Sequence, residues 1–166
     1  MKKMRSALAF LAIGVLLSGW GCRSKAKDDE VYELRAKLMG GIILQQATAC
    51  VSQSKDYISA WEYAKVTGDD FETAAQHILG DQLTENKNMF MTGRSKIEEI
   101  LEKIGNPPQK FSKAHEKLLS MHEFYLELHT LALHPSKTRE KYEDSVNEIV
   151  RNIRDAGEEF YSLLDE

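Results

Sequence analysis

The chain has 166 residues, of which 42% are hydrophobic and 29% are charged, and it carries 22 Lys and Arg against 26 Asp and Glu. No cluster of basic residues with interleaved aromatic residues follows Lys27. Because an acidic surface repels phosphate backbones, this composition excludes nucleic acid as an expected partner.

The first 21 residues have the three parts of an export signal. A basic start over residues 1–5 precedes an apolar stretch from Ala7 to Leu17, and small residues lead up to Gly21. Eleven apolar residues in a helix rise only about 16 Å, roughly half of the bilayer core. We therefore predict a cleaved signal peptide over residues 1–21 rather than a membrane span.

Cys22 follows these small residues directly. In this position it resembles the lipid-acceptor cysteine of bacterial lipoproteins, whose sulfur is acylated and whose preceding peptide is removed. The resemblance covers residues 1–22 and departs from the family pattern at Gly19, where leucine is usual. It implies a covalent lipid on Cys22. Beyond that lipid, we expect no cofactor. The alternative is ordinary cleavage after Gly21, which leaves an unlipidated chain that begins with a cysteine.

The lipoprotein interpretation also predicts a location in the bacterial cell envelope. Because Arg23 rather than aspartate follows the acceptor cysteine, the sorting rule of enteric bacteria predicts the outer membrane, with the domain facing the periplasm. Residues 22–30 are short and highly charged, which is typical of a solvated tether. We expect Cys50 to be buried and unreactive, since a bridge to Cys22 would stretch this linker to its limit.

Removal of residues 1–21 leaves 145 residues with 19 Lys and Arg against 26 Asp and Glu, a formal charge of −7. This length suits one domain with a buried core. From residue 31 onward the apolar residues recur at helical spacing, and no alternating strand pattern of useful length is found. We predict four helices over about 31–66, 70–104, 108–133 and 137–164. Short connections between them predict an all-α, up-down-up-down antiparallel four-helix bundle over residues 31–166.

Glycine, proline and capping residues predict where the helices begin, end and bend. Asp69 is the expected N-cap of the second helix and Asn106 that of the third. Two irregularities are expected inside helices. One is a kink near Gly93, with Ser95 capping the part that follows, and the other is a bend at Gly40–Gly41.

Apolar residues three and four apart predict the inward face of each helix. In the third helix they are Phe111, Ala114, Leu118, Met121, Tyr125, Leu128 and Ala132, and in the last Tyr142, Val146, Ile149, Ile153, Ala156, Phe160 and Leu163. At the start of the first helix they are Val31, Leu34, Leu38 and Ile42.

Three histidines, His115, His122 and His129, recur every seven residues along the third helix. This spacing places them on one side of the helix, between its inward face and a flanking row of leucines. Three interpretations stay open. The rings border the core as amphipathic side chains, or they form a polar layer that fixes helix register, or they bind a metal or a cofactor.

The ligand interpretation needs partners from other helices, because histidines seven apart are about 10.5 Å apart along the axis. Counting residues outward from the turns places His129 level with Leu83, and His122 level with Phe90, with Met89 beside it. A histidine facing a methionine across a bundle is similar to the haem ligation of b-type cytochrome bundles. Met89 is therefore the candidate cofactor ligand, and the three histidines are the candidate metal ligands.

The sequence contains none of the motifs G-x-G-x-x-G, G-x-x-x-x-G-K-[ST], G-x-S-x-G, H-E-x-x-H or C-x-x-C-H, and we expect no enzyme. The hairpin from Pro107 onward is similar to those of small helical bacterial lipoproteins without assigned activity, and this likeness assigns no functional residue. We expect a non-catalytic, membrane-tethered binding or structural module that meets an envelope protein or a small ligand. The alternative is a haem- or metal-binding bundle built on the three histidines.

Overall fold

The computed structural model describes residues 25–135 and 138–165. The chain divides into two compact units, Met1–Val31 and Tyr32–Glu166, and the site discussed below belongs to the second. The predicted signal peptide and Cys22 lie outside the described residues. The first helix begins at Lys25, so residues 25–30, which we expected to be part of a tether, are helical.

The described residues form five α-helices and one 3-10 helix. In chain order they are α1 (Lys25–Thr67), α2 (Phe71–Leu79), α3 (Gln82–Lys103), the 3-10 helix Gln109–Phe111, α4 (Ser112–Leu133) and α5 (Arg139–Leu164). Residues 25–135 and 138–165 contain no strand, so the expected all-α class is confirmed over this part of the chain. Within the same residues, no helix combines the length and the apolar character that a membrane crossing requires.

The predicted second helix is divided into α2 and α3. Asp70, not Asp69, caps α2, because its side chain accepts a hydrogen bond of 2.8 Å from the Thr73 N–H. Gly80 ends α2 with a φ of 51°, a conformation that glycine adopts without strain. Its N–H donates to the carbonyl oxygen of Gln76 at 2.8 Å, so the break lies at Gly80 rather than near Gly93.

The other expected irregularities are absent from the helices that the structure describes. α1 is uninterrupted at Gly40–Gly41, and α3 continues through Gly93 and Ser95, whose hydroxyl donates back to the Met91 carbonyl. Asn106 does not cap a helix, because Pro108 precedes the 3-10 helix and α4 begins only at Ser112.

The inward face of α4 is as predicted, and so is that of α5 except at its end, where Leu164 rather than Leu163 is buried. The inward face of α1 differs more, because it is shifted along the chain. Leu34 and Leu38, expected in the core, are 50% and 40% exposed. The buried residues at this end of α1 are Tyr32, Ala36, Met39 and Ile43. Tyr32 stacks on Phe111 with ring centroids 5.2 Å apart, and this aromatic contact explains why the neighbouring face of α1 is buried.

Contacts between opposite ends of the chain define how α1 lies against α5 and α3. Lys37 bonds Asp165 at 3.0 Å and Arg139 bonds Glu62 at 2.9 Å, so α1 and α5 run antiparallel. Near the Arg139 end of this pair, Tyr142 donates a hydrogen bond of 2.9 Å to Ser54. α1 and α3 are antiparallel as well, since Asn86 contacts Gln53 and Gly93 contacts Gln46.

Candidate functional site

The three histidines of α4 differ in how deeply they are buried. His115 and His129 are 8% and 1% exposed, and His122 is half-buried. Burial lowers the pKa of all three imidazoles, because the charged form loses its hydration. The rings are therefore neutral at pH 7, as side chains at the edge of a core and not as a row of solvated cations.

His115 has a defined partner in α1. Its Nδ1 atom and the Tyr32 hydroxyl are 2.8 Å apart and share a hydrogen bond between two buried side chains. The two rings also lie close, with centroids 6.2 Å apart. The hydrogen bond satisfies both groups and connects the start of α1 with that of α4.

Further polar side chains of α4 and α1 lie in the core or at its edge, and we call them the interior polar cluster (Gln46, His122, Tyr125 and His129). The Tyr125 ring centroid is 6.2 Å from that of His122 and 5.8 Å from that of His129. His129 also packs edge-on against Phe90 and hydrogen-bonds the Phe90 backbone. Gln46 contacts α3 one turn further on, at Gly93, where a Cβ atom would lie 2.5 Å from its Oε1.

Four buried atoms of this cluster have no hydrogen-bond partner among the described residues. They are Gln46 Oε1, His122 Nε2, Tyr125 Oη and His129 Nε2. An unpaired buried polar group costs about 1–3 kcal/mol, which offsets part of the stabilisation that the packing of these side chains provides. Because His129 is neutral and bonds a backbone group through its other nitrogen, its Nε2 atom is available as an acceptor.

The contacts of α4 do not favour the metal or haem interpretation. Across residues 25–135 and 138–165, no three His, Cys, Asp or Glu side chains lie close enough together to hold a metal ion. Met89 is 43% exposed, so it does not share the interior with His122 as the candidate haem pair would. Phe90 lies beside His129 and not His122. The predicted pairing of Phe90 with His122 is thus displaced by one histidine along α4. Part of this displacement arises because α4 begins at Ser112, four residues later than predicted.

Cys50 is buried and chemically quiet. It is 0% exposed, and burial raises the pKa of its thiol to about 12. Because the thiolate is the nucleophilic form, this environment disfavours covalent chemistry. The Ser54 hydroxyl donates to the Cys50 carbonyl at 2.9 Å and accepts a hydrogen bond from the Tyr142 hydroxyl.

A groove of about 540 Å³ opens between α1 and α5. It is lined by Leu44, Ala47, Thr48 and Val51 of α1 and by Val150, Ile153, Arg154, Gly157, Glu158 and Tyr161 of α5. Its volume falls within the range of about 300–1,000 Å³ that is typical of small-molecule sites, which often lie between helices. We call it the α1/α5 groove.

Small residues explain why the groove lies where it does. On one side, Gly40 lets the helices approach so closely that a Cβ atom there would lie 2.7 Å from the Phe160 ring. Further along, Ala47 and Gly157 both line the gap between the helices. A Cβ atom at Gly157 would lie 3.5 Å from the Met121 methyl group, so the floor of the groove reaches the core.

The hydroxyl groups along the groove are bonded to backbone atoms. Thr48 donates to the Leu44 carbonyl at 2.8 Å, and Tyr161 donates to the Lys37 carbonyl at 3.5 Å. The Arg154 side chain is 65% exposed and lies 3.2 Å from Asp155. The wall is thus apolar, with a guanidinium at its rim.

Comparison with known proteins gives no independent assignment: no protein-family model, no curated protein and no solved structure matches the chain. Any function for this chain is therefore argued from its own residues. The likeness of residues 1–22 to lipoproteins stays a prediction from the sequence.

The three histidines lie on one helix, α4, as the sequence predicted. The α1/α5 groove was not predicted. A groove between two helices depends on which small residues face each other, and this pairing is not visible in one helix alone. The signal in the sequence was Gly157, which lies inside an otherwise regular helix where glycine is unfavourable. A glycine in that position is compatible with a close contact to a neighbouring helix or with a gap between the two helices.

Proposed function

We propose that this chain is a lipid-anchored module of the bacterial cell envelope that binds an apolar ligand in the α1/α5 groove and catalyses no reaction. The observation that carries the proposal is the groove itself. Large contiguous apolar surface is uncommon on folded proteins, and where it occurs it often marks a binding site.

The fold proposed for this module is an up-down-up-down four-helix bundle in which α2 and α3 together form the second helix. The antiparallel pairing of α1 with α5 and with α3 supports this topology. A bundle of this kind provides rigid walls for a groove between two of its helices.

The proposed anchor is a lipid on Cys22, which follows an export signal in the sequence. The membrane is then a partner through the lipid, and Arg23 favours the outer membrane with the domain facing the periplasm. The net charge of −7 after removal of residues 1–21, counted from 19 basic and 26 acidic residues, argues against nucleic acid as a partner.

Mass spectrometry of the N-terminal peptide from the purified native protein tests the anchor. We expect a peptide that begins at Cys22 and carries the added mass of acyl chains. A peptide that begins at an unmodified Cys22, or that retains residues 1–21, contradicts the proposed lipid.

Fluorescence of 1-anilinonaphthalene-8-sulfonate, a general probe of apolar sites, tests binding in the groove. We expect saturable binding to the full chain that Thr48→Phe weakens at least about tenfold, or about 1.4 kcal/mol, because the ring fills the groove from its rim. Ser59→Phe is the matched control, since Ser59 is also exposed on α1 and bonds only its own helix. Equal binding to both variants contradicts the groove as the binding site.

A further inference from the structure

We propose that the ligand of the α1/α5 groove is a single long alkyl chain that ends in a carboxylate, that is, a fatty acid. The inference rests on the proposed binding function and adds the chemical class of the ligand. In this proposal the carboxylate of the ligand binds Arg154, and its alkyl chain packs on the apolar lining of the groove, which includes Leu44 and Gly157.

The shape of the groove favours an alkyl chain. Its lining on α5 runs from Val150 to Tyr161, about 16 Å of helix, so the space is long. Ala47 and Gly157, which have small or no side chains, lie among the residues that line it. A helix is about 10 Å across and would reach the floor of the groove only with single side chains, whereas an alkyl chain fits along its whole length.

The polarity of the wall leads to the same class of ligand. Leu44, Val51 and Ile153 offer only methyl and methylene groups, and the Thr48 and Tyr161 hydroxyls already donate to backbone carbonyls. A ligand with polar groups along its length would leave them unpaired at a cost of roughly 1–3 kcal/mol each. The ligand that fits has its polar group at an end.

The charges at the rim set the direction of the chain. Arg154 lies about 6 Å along the helix from Val150, and Glu158 lies one helical turn further toward Tyr161. A guanidinium binds a carboxylate through charge-assisted hydrogen bonds, and Glu158 repels one. The present contact of Arg154 with Asp155 is solvent-exposed and therefore weak, so it does not prevent Arg154 from pairing with a ligand.

Photolabelling tests this inference directly. Isolated membranes that contain the full chain are mixed with a hexadecanoic acid that carries a diazirine in its chain, and with the methyl ester of the same probe. After illumination, mass spectrometry locates the labelled peptides. We expect saturable labelling by the acid within residues 44–51 and 150–161, and at least about tenfold weaker labelling by the ester, which has no charge for Arg154.

Two pairs of variants assign this labelling to the groove and to the guanidinium. Thr48→Phe is expected to reduce labelling at least about tenfold and Ser59→Phe to leave it unchanged. Arg154→Gln is expected to reduce labelling by the acid to the level of the ester. Arg151→Gln, which removes an exposed cation outside the lining residues, is expected to leave it unchanged.

Several results overturn the inference. Equal labelling by the acid and the ester excludes the carboxylate, and labelling that Thr48→Phe does not affect excludes the groove. A photoreactive amino acid at position 48 tests other occupants in cells without the probe, and an adduct with a second copy of the chain or with another protein also contradicts the fatty acid.

The same labelling, carried out in solution on the purified Cys22→Ser chain, separates this inference from the proposed anchor and binding function. Retained labelling of that variant shows that ligand binding does not need the anchor. Loss of the acid-over-ester preference, together with retained binding of the general apolar probe, rejects the fatty acid and leaves the binding function intact.

Discussion

The buried imidazoles of α4 have unequal surroundings, although they recur at equal spacing in the sequence. His115 shares a hydrogen bond with Tyr32, and His129 bonds the backbone of Phe90. The Nε2 atom of His122 is buried without a partner among the described residues. The side chains of His115 and His129 therefore connect helices through hydrogen bonds. His122 places a polar ring at the edge of the core, and its Nε2 atom makes no such bond with the described residues.

Replacement of His122 tests this distinction. We expect His122→Leu to keep or raise the free energy of unfolding by up to about 1 kcal/mol, because it removes an unpaired polar atom and adds apolar contact. Urea unfolding of the full chain measures the change. A loss of 1–3 kcal/mol would instead show that His122 belongs to a satisfied network with Gln46, and loss of a metal or haem signal would restore the ligand interpretation.

Stability is expected to depend on pH through the same residues. The folded-state pKa of His115, His122 and His129 is lowered by burial, so the unfolded chain binds protons more tightly. Stability is then fully present above the unfolded histidine pKa of about 6.5 and declines as the pH falls below it. Urea unfolding between pH 7.5 and 5.5 measures this slope.

The His122→Leu variant provides the comparison for this pH dependence. It is expected to show a shallower decline than the wild-type chain, since it has one fewer group that takes up a proton on unfolding. Stability that rises toward pH 5.5, or an unchanged slope in the variant, is the opposite result.

At the scale of the helices, glycines have a different role from the one their local preferences suggest. Gly40 and Gly93 lie in uninterrupted helices where we expected a bend and a kink, and each allows a close contact with Phe160 or Gln46. Only Gly80 ends a helix, through its positive φ. Helical class and the inward faces of α4 and α5 follow from apolar spacing, whereas these glycine contacts depend on a second helix.

Two adjacent glycines of α1 provide a matched test of the contact between α1 and α5. Gly40→Ala is expected to lower the free energy of unfolding by about 1–3 kcal/mol, because its Cβ would lie 2.7 Å from the Phe160 ring. Gly41→Ala has open space around its Cβ and is expected to raise stability by up to about 1 kcal/mol through helix propensity.

Thermal or urea unfolding of both variants measures this difference. The same shift in both, in either direction, would mean that α1 does not approach α5 at Gly40. Because the change in helix propensity is the same at both positions, the difference between the two free energies of unfolding reports on the contact of Gly40 with Phe160.

At the largest scale, the described residues combine an acidic composition with an apolar groove between α1 and α5. The all-α class of the described residues was predictable from the sequence alone, because it depends on local spacing. The export signal and the acceptor cysteine stay predictions from local composition. The groove depends on Ala47 and Gly157 meeting across two helices that are far apart in the sequence. A binding site of this kind requires the three-dimensional arrangement and was therefore not predicted.

The central claim, a helical binding module held at a membrane by Cys22, is tested most directly by fractionating cells that express the wild-type chain or the Cys22→Ser variant. A single acyl chain binds a membrane only marginally, whereas the several chains of a mature lipoprotein attach a protein stably. The wild-type chain is therefore expected in the membrane fraction. The variant is expected to remain unprocessed and to leave the membrane fraction. Its far-ultraviolet circular dichroism is expected to be unchanged. Normal processing and unchanged membrane association of the Cys22→Ser chain would contradict the account.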